Sequence, residues 1–349
     1  MTMRHGVSLA ERTTLGLGGD AAHFVCAEDD EAVREGLAWA TSRGLPVGIL
    51  GGGSNLVVSD AGFPGLVIEM AQRGIEQARV GDEVHVTAAA GEDWDAFVAA
   101  CVAADLAGVE CLAGIPGRVG ATPIQNVGAY GQDVSETVRS VRALERATGE
   151  VHTLEPDDCG FGYRDSAFKR DPDRYVVLGV TFGLRPGGAP ALRYAELVRR
   201  MADEDATLAR VREVVIALRR GKSMVYDPSD PNHRSAGSFF TNPILEARDA
   251  ERVVARAVDR GVVGTPDEVP RWVQPDARVK LAAGWLIERS GMKKGTVRGG
   301  VGISTAHALA LIHRGDGSTR QLLALADEVR AAVRAQFGVD LEMEPRHWG

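Results

Sequence analysis

The run LAGIPGRVGATPIQNVGAYG at residues 112–131 holds five glycines and keeps neither the two-residue period of a strand nor the period of a helix. A passage this long without regular structure, set inside a compact domain, is either an irregular structural crossover or a functional loop, more often the second. Its small residues let a flat ring lie against the backbone. Thr122, Gln125, Asn126 and the backbone amides can then bond the polar edge of that ring.

A second glycine cluster lies upstream. Gly51, Gly52, Gly53, Ser54 and Asn55 stand between two short apolar runs, 47–50 and 56–58, that read as strands. Consecutive glycines allow positive φ and bring backbone N–H groups close to a ligand, and such N–H concavities hold phosphate oxygens. Taken alone, the pentapeptide fits a tight turn as well as it fits a phosphate cradle. It is not a dinucleotide fingerprint of the Rossmann type, because a strand rather than a helix follows.

Outward from these loops the chain alternates strand and helix patterns. Residues 22–27, 66–69, 84–89, 138–144, 150–154 and 175–184 read as strands, with Ala147, Thr148 and Gly149 as a hairpin turn. Helices are expected at 29–43, 94–106, 207–220, 246–260, 279–290 and 318–337. The last opens on Ser318, carries Leu322, Leu325, Val329, Val333 and Phe337 on one face, and is followed by Gly338. Residues 341–343 read as a returning strand. A loop rich in Asp, Pro and Asn at 227–232 marks a domain boundary. The mixture is α+β.

Composition limits the function classes. The 349 residues suffice for two or three domains. A formal net charge of −8 argues against a nucleic-acid backbone or an anionic membrane as the main partner, although Arg219, Arg220 and Lys222 form a local basic cluster. Cys26, Cys101, Cys111 and Cys159 make no CxxC pair and read as reduced core or near-core thiols, and the eight histidines show no ligand spacing, so no metal site is expected. No apolar run approaches the ~18 residues of a membrane span and no signal core follows the first residues. A cytoplasmic location is the expectation.

Six motifs occur in series: GGGSN, GIPGxxGxxxIQNxGAYG, GYRDSxFK, AGSFFxNP, KLAAGWLIE and LEMEPR. Together they resemble the UDP-N-acetylenolpyruvoylglucosamine reductase (MurB) family, in its longer subtype, over nearly the whole chain. The resemblance implies an FAD-binding fold of the vanillyl-alcohol-oxidase (PCMH) type made of two α+β subdomains, 1–72 and 73–226, the second joined by a C-terminal strand at about 338–349. A substrate-binding α+β domain would span 227–337. It implies that Gly51, Gly52, Gly53, Ser54 and Asn55 hold the FAD pyrophosphate, and that Ile115, Gly117, Gly120, Thr122, Gln125 and Asn126 surround the isoalloxazine. The implied reaction takes reducing equivalents from NADPH, as co-substrate, and reduces UDP-N-acetylenolpyruvoylglucosamine to UDP-N-acetylmuramate for peptidoglycan; no oligomer is required.

Three residues are implied for the chemistry. Arg164 is by type either a surface ion-pair residue or a bidentate carboxylate clamp, and it matches the family's catalytic arginine. Ser238 reads as a turn serine on local grounds and matches the family's proton donor. It lacks the GxSxG surroundings of a hydrolase nucleophile. Glu344 matches the catalytic glutamate, with Glu342 as the alternative one strand period away and Pro345 where the family usually has an aliphatic residue. For the UDP end the resemblance implies Tyr194 on a closing loop, Lys222 on the diphosphate and Asn242 as a further contact. Lys222 also suits a helix C-terminus. Two other classes compete. A different FAD oxidoreductase on the same scaffold would lack the Arg164, Ser238 and Glu344 set and usually carries a flavin-linking His or Cys, yet no histidine lies between His85 and His152. A non-catalytic UDP-sugar-binding flavoprotein would not need all three residues.

Overall fold

Asp29 accepts a hydrogen bond from the Ala32 amide at 2.8 Å and opens the helix Asp30–Thr41. An acceptor at this position satisfies an amide that the first helical turn leaves without a partner. Val33, Leu37 and Ala40 recur on the buried face and share a core with Val25, Leu66 and Ile68. The strands flanking the helix, Asp20–Ala27 and Val47–Leu50, both pair in parallel with Phe63–Met70. Arg4–Ser8 completes this four-stranded sheet at one edge. The computed structural model describes residues 1–202 and 205–349.

The chain divides into two units. The first comprises Met1–Val7, Asp20–Gly53 and Phe63–Tyr226; the second comprises Ser8–Gly19, Ser54–Gly62 and Asp227–Gly349. Beside the parallel sheet, the first unit holds an antiparallel one in the order Val151–Leu154, Val138–Glu145, Tyr175–Pro186, Glu83–Ala89, Ile75–Val80. Its long central strand buries one side against the helix Trp94–Ala103, where the rings of Trp94, Phe97 and Phe182 lie 5.0 to 5.7 Å apart. Asp93 caps that helix through the Ala96 amide. Asp105, at φ 55°, stops the helical path short of the expected 106, and Leu106–Ala107 pairs instead with Tyr175–Pro186.

The second unit is organised by the helix Thr319–Phe337, which Ser318 and Gln321 cap reciprocally and Gly338 ends at φ 73°. Its apolar face joins Phe239, Phe240, Leu281, Leu286 and Ile287 in one core. Three small sheets surround it: Ile244–Leu245, Val279–Leu281 and Arg271–Val273; Val297–Arg298, Val301–Ile303 and Leu311–His313; and a parallel pair, Leu56–Val58 with Arg346–Trp348.

Several sequence expectations need correction. Residues 279–290 are not one helix: Val279–Leu281 is a strand with a partner on each side, and the helix is Ala283–Arg289. Two ladders outweigh the helical spacing of three residues. Residues 341–343 are not a regular strand. Met343 makes a single bridge to Phe240, and the strand proper begins after Pro345, which has no N–H to give a ladder. This C-terminal strand lies in the second unit, not with the 73–226 block. Cys101, Cys111 and Cys159 are buried free thiols, whereas Cys26 is exposed on the outer side of its strand.

Candidate functional site

The two glycine clusters meet within the first unit. A Cβ on Gly52 would stand 2.8 Å from Gly117 Cα and 3.1 Å from its carbonyl carbon, so two backbones touch where no side chain fits. Gly53 turns the chain at φ 62°, and Ser54 and Asn55 continue it in the second unit. The 112–131 passage is fastened along its length. Gly117 O accepts from the Trp94 amide at 3.1 Å, and the amides of Val119 and Gly120 donate to Glu92 O and Ala90 O at 2.9 and 3.0 Å. A 3₁₀ turn at Val119–Ala121 runs into the one-turn helix Thr122–Gln125, with the Thr122 hydroxyl donating to Val119 O at 2.8 Å. Ile115 and Gln125 are half-buried. The bare glycine contact and the fastened amides make a rigid, side-chain-free cradle, which fits a flavin nucleotide.

Asn126 is buried, and both ends of its carboxamide are engaged inside the protein. Its Nδ2 donates to Gly162 O at 2.8 Å and its Oδ1 accepts from the Ser135 amide at 3.2 Å. Its backbone carbonyl accepts from Arg164 Nη1 at 3.4 Å. Arg164 Nη2 donates to Gly128 O, and Asp133 lies 3.6 Å from Nη1. The second glycine-rich passage therefore holds the guanidinium as well as forming the cradle. Asp133 was not foreseen, and the carbonyls that fix Arg164 leave no side-chain signal to find.

Tyr194, half-exposed, sets its ring edge-on to Tyr130, with centroids 5.3 Å apart. Lys222 Nζ donates to Glu196 at 2.9 Å and lies 5.8 Å from the Tyr130 centroid. Burial alone would lower the Lys222 pKa, but the hydrogen bond to Glu196 and the fields of Tyr130, Glu196 and Tyr194 carry it above its ordinary value. Burial pushes the Tyr130 hydroxyl up. Arg219 is almost wholly buried and donates to Met224 O at 2.6 Å; burial brings it down to about 10. Glu196 and Tyr130 were missed; the aromatic in GAYG was a visible signal, whereas Glu196 stands 26 residues from Lys222 in the chain.

In the second unit, Glu344 and Ser238 lie on neighbouring irregular segments: the Glu344 amide donates to Phe239 O at 3.0 Å, beside the single bridge from Phe240 to Met343. Asn55 Nδ2 donates to Glu344 O at 3.4 Å, joining a residue of the first glycine cluster to one from the last motif. Glu344 is half-buried while Glu342 is exposed. Asn242 Oδ1 accepts from the Ala283 amide at 2.9 Å, at the start of its helix, which leaves its amide nitrogen as the available donor.

A family model described as FAD binding domain matches residues 21–155, and one described as UDP-N-acetylenolpyruvoylglucosamine reductase, C-terminal domain, matches residues 228–348. The UDP-N-acetylenolpyruvoylglucosamine reductase of Saccharopolyspora erythraea is 52% identical over 347 residues, covering 97% of this chain and 94% of that protein. The chain belongs to the UDP-N-acetylenolpyruvoylglucosamine reductase family. The enzyme of the same name from Thermobifida fusca is 50% identical, with 97% of this chain and 96% of that protein covered. The solved MurB structure from Thermus caldophilus superposes with a TM-score of 0.67 at 26% identity, over 100% of both chains.

The chain thus carries an FAD-binding domain followed by the family's C-terminal domain, in the expected α+β build. Like the family's reductases it is an oxidoreductase and a flavoprotein. Among the described residues no group of three or more His, Cys, Asp or Glu is placed to hold a metal, and no helix is long and apolar enough to cross a membrane.

Proposed function

We propose that this chain reduces UDP-N-acetylenolpyruvoylglucosamine to UDP-N-acetylmuramate with NADPH, in the cytoplasm, as a step of peptidoglycan precursor synthesis. The observation that carries this reading is the Arg164 clamp built onto the same glycine-rich passage that forms the nucleotide cradle. Gly51, Gly52, Gly53, Ser54 and Asn55 with Ile115, Gly117, Gly120, Thr122, Gln125 and Asn126 would hold FAD, which would supply hydride transfer between NADPH and the substrate's enolpyruvyl β-carbon.

The remaining chemistry falls to side chains. Hydride addition at the β-carbon leaves negative charge on the α-carbon and carboxylate of the substrate. Arg164 pairs with that carboxylate, and its hold strengthens as the charge grows, which is the condition for lowering a barrier. The Ser238 hydroxyl gives its proton to the α-carbon. A neutral hydroxyl is a weak acid, but the carbanionic centre it meets is strongly basic. Glu344 orients that proton or shares in it, its backbone being held beside Phe239.

Lys222 meets the diphosphate, Asn242 adds its amide N–H, and Tyr194 closes over the UDP end as in the longer subtype. The Lys222 ammonium has three N–H donors and can meet the diphosphate while it keeps Glu196. No oligomer is needed.

The test is spectroscopic. The purified protein, supplied with FAD, is mixed with NADPH without air and then with UDP-N-acetylenolpyruvoylglucosamine. Bleaching followed by recolouring is the expected result. Bleaching without recolouring refutes the substrate; no flavin binding refutes the reading at its base.

A further inference from the structure

Arg164 has a left-handed backbone, φ 53°, which costs energy for any residue with a Cβ and persists only where the surroundings over-determine it. Gly162 and Asp165 exchange backbone hydrogen bonds at 2.9 and 3.2 Å around it, and Asn126 holds Gly162 O from the side. One further contact is not explained by the turn. The Lys169 ammonium donates to the carbonyl of Arg164 itself at 2.7 Å. Its partner is a backbone carbonyl rather than a carboxylate, and the side chain is half-buried rather than extended into water as surface lysines prefer.

The root of Lys169 is fixed as well. It lies in the one-turn helix Ala167–Arg170, where its amide donates to Ser166 Oγ at 3.2 Å. Ser166 in turn donates to Ile124 O at 2.8 Å, inside the 112–131 passage. Lys169 therefore ties the Arg164 carbonyl to the loop whose own carbonyls, Asn126 O and Gly128 O, receive the guanidinium. Backbone and side chain of Arg164 are gripped from one frame.

We infer that Lys169 is a positioning residue for Arg164: its ammonium pins the left-handed turn that aims the guanidinium at the substrate's carboxylate. This rests on the role proposed above for Arg164. A charged hydrogen bond of this kind, once lost, lets the arginine sample other directions, and the reaction slows without loss of the fold.

The test compares Lys169→Met, Arg164→Met and the double variant, all loaded with FAD. The readouts are NADPH-driven bleaching, substrate-driven recolouring, and affinity for UDP-N-acetylmuramate by calorimetry. Lys169→Met is expected to slow recolouring about tenfold or more, to weaken product binding, and to leave bleaching unchanged. Neither effect is to recur in the Arg164→Met background, because a residue acting through another has nothing left to act on. Lys169→Arg, which can reach the same carbonyl, is to recover most of the loss. Should Lys169→Met fail to fold, Lys169→Gln, which is polar but uncharged and one bond too short to reach the Arg164 carbonyl in the same way, takes its place and must show the same non-additivity. The inference is overturned if the loss is as large without Arg164 as with it, or if recolouring and product binding stay at wild-type values. Wild-type recolouring in Arg164→Met would instead refute the role of Arg164 itself.

Discussion

Replacing Gly52 by alanine tests the close contact on which the cradle depends. The new Cβ would sit 2.8 Å from Gly117 Cα and 3.1 Å from Gly117 C. Carbon atoms not bonded to each other rest at about 3.5–4.0 Å, so the two loops must part by more than about half an ångström. The obstacle is backbone, not the movable end of a side chain, and Gly117 O is already tied to the Trp94 amide. Overpacking of this kind costs about 1–3 kcal/mol. Domains of about 150–250 residues lose ~2–4 °C of melting temperature per kcal/mol, and this longer chain should lose somewhat less. Gly51→Ala is the internal control. Its Cβ would meet Ala121 and Arg118 at 3.7 Å, an ordinary contact, and the folded protein should lose no more than ~0.5 kcal/mol. Thermal unfolding is measured with FAD bound and with FAD stripped, together with flavin retained after gel filtration. Gly52→Ala should melt lower in both states and keep less flavin. Equal melting of the two variants in the stripped state would refute the argument, since only the backbone contact distinguishes them.

Ser238→Ala should slow substrate-driven recolouring by about 10²–10⁴-fold and leave NADPH-driven bleaching at its wild-type rate, as followed by stopped-flow absorbance; an unchanged recolouring rate removes the serine from proton transfer. Lys222→Met should raise the KM for the UDP substrate more than it lowers kcat, in steady-state assays across substrate concentration. Glu83 is held below the usual 4.5 first by the hydrogen bond from Arg139. Its pairing therefore adds stability above pH 4.5, lost as pH falls through the depressed value, and Arg139→Met should flatten that acid-side decline in melting curves by no more than ~1 kcal/mol for so exposed a pair. Burial raises the thiols of Cys101, Cys111 and Cys159 to about 12, so a thiol reagent at neutral pH should label Cys26 alone in the native protein and all four after denaturation.

What could be read in advance follows from how far each signal reaches along the chain. The helices after Asp29, Thr207 and Ser318 were legible because a capping side chain and its amide are three residues apart. The strand Ile75–Val80 was not, because every one of its residues is exposed and its pattern carries no buried face. Val279–Leu281 was misjudged because its partners come from elsewhere in the sequence. At the site, the candidate residues were named through family resemblance, while local physics alone left GGGSN between turn and cradle. The contact of Gly52 with Gly117 has no periodicity to betray it. The partners of Arg164 are carbonyls, which every residue possesses. Glu196 was overlooked because its partner Lys222 is 26 residues away, in the turn after the helix Leu208–Arg220.

The strand Leu56–Val58 begins three residues after Gly53, yet its ladder partner is Arg346–Trp348. During translation the ribosome makes the first of these about 290 residues before the second, an interval of roughly 15–60 s at ordinary elongation rates. For that time the chain just beyond the triple glycine lacks the strand that receives it, and Asn55 lacks the Arg346 amide it will accept from at 3.0 Å. The strand just past the triple glycine is thus among the first segments to be made and the last to be paired. A chain cut short before Arg346 would keep the glycine that meets Gly117 but would lack the strand that pairs with Leu56–Val58.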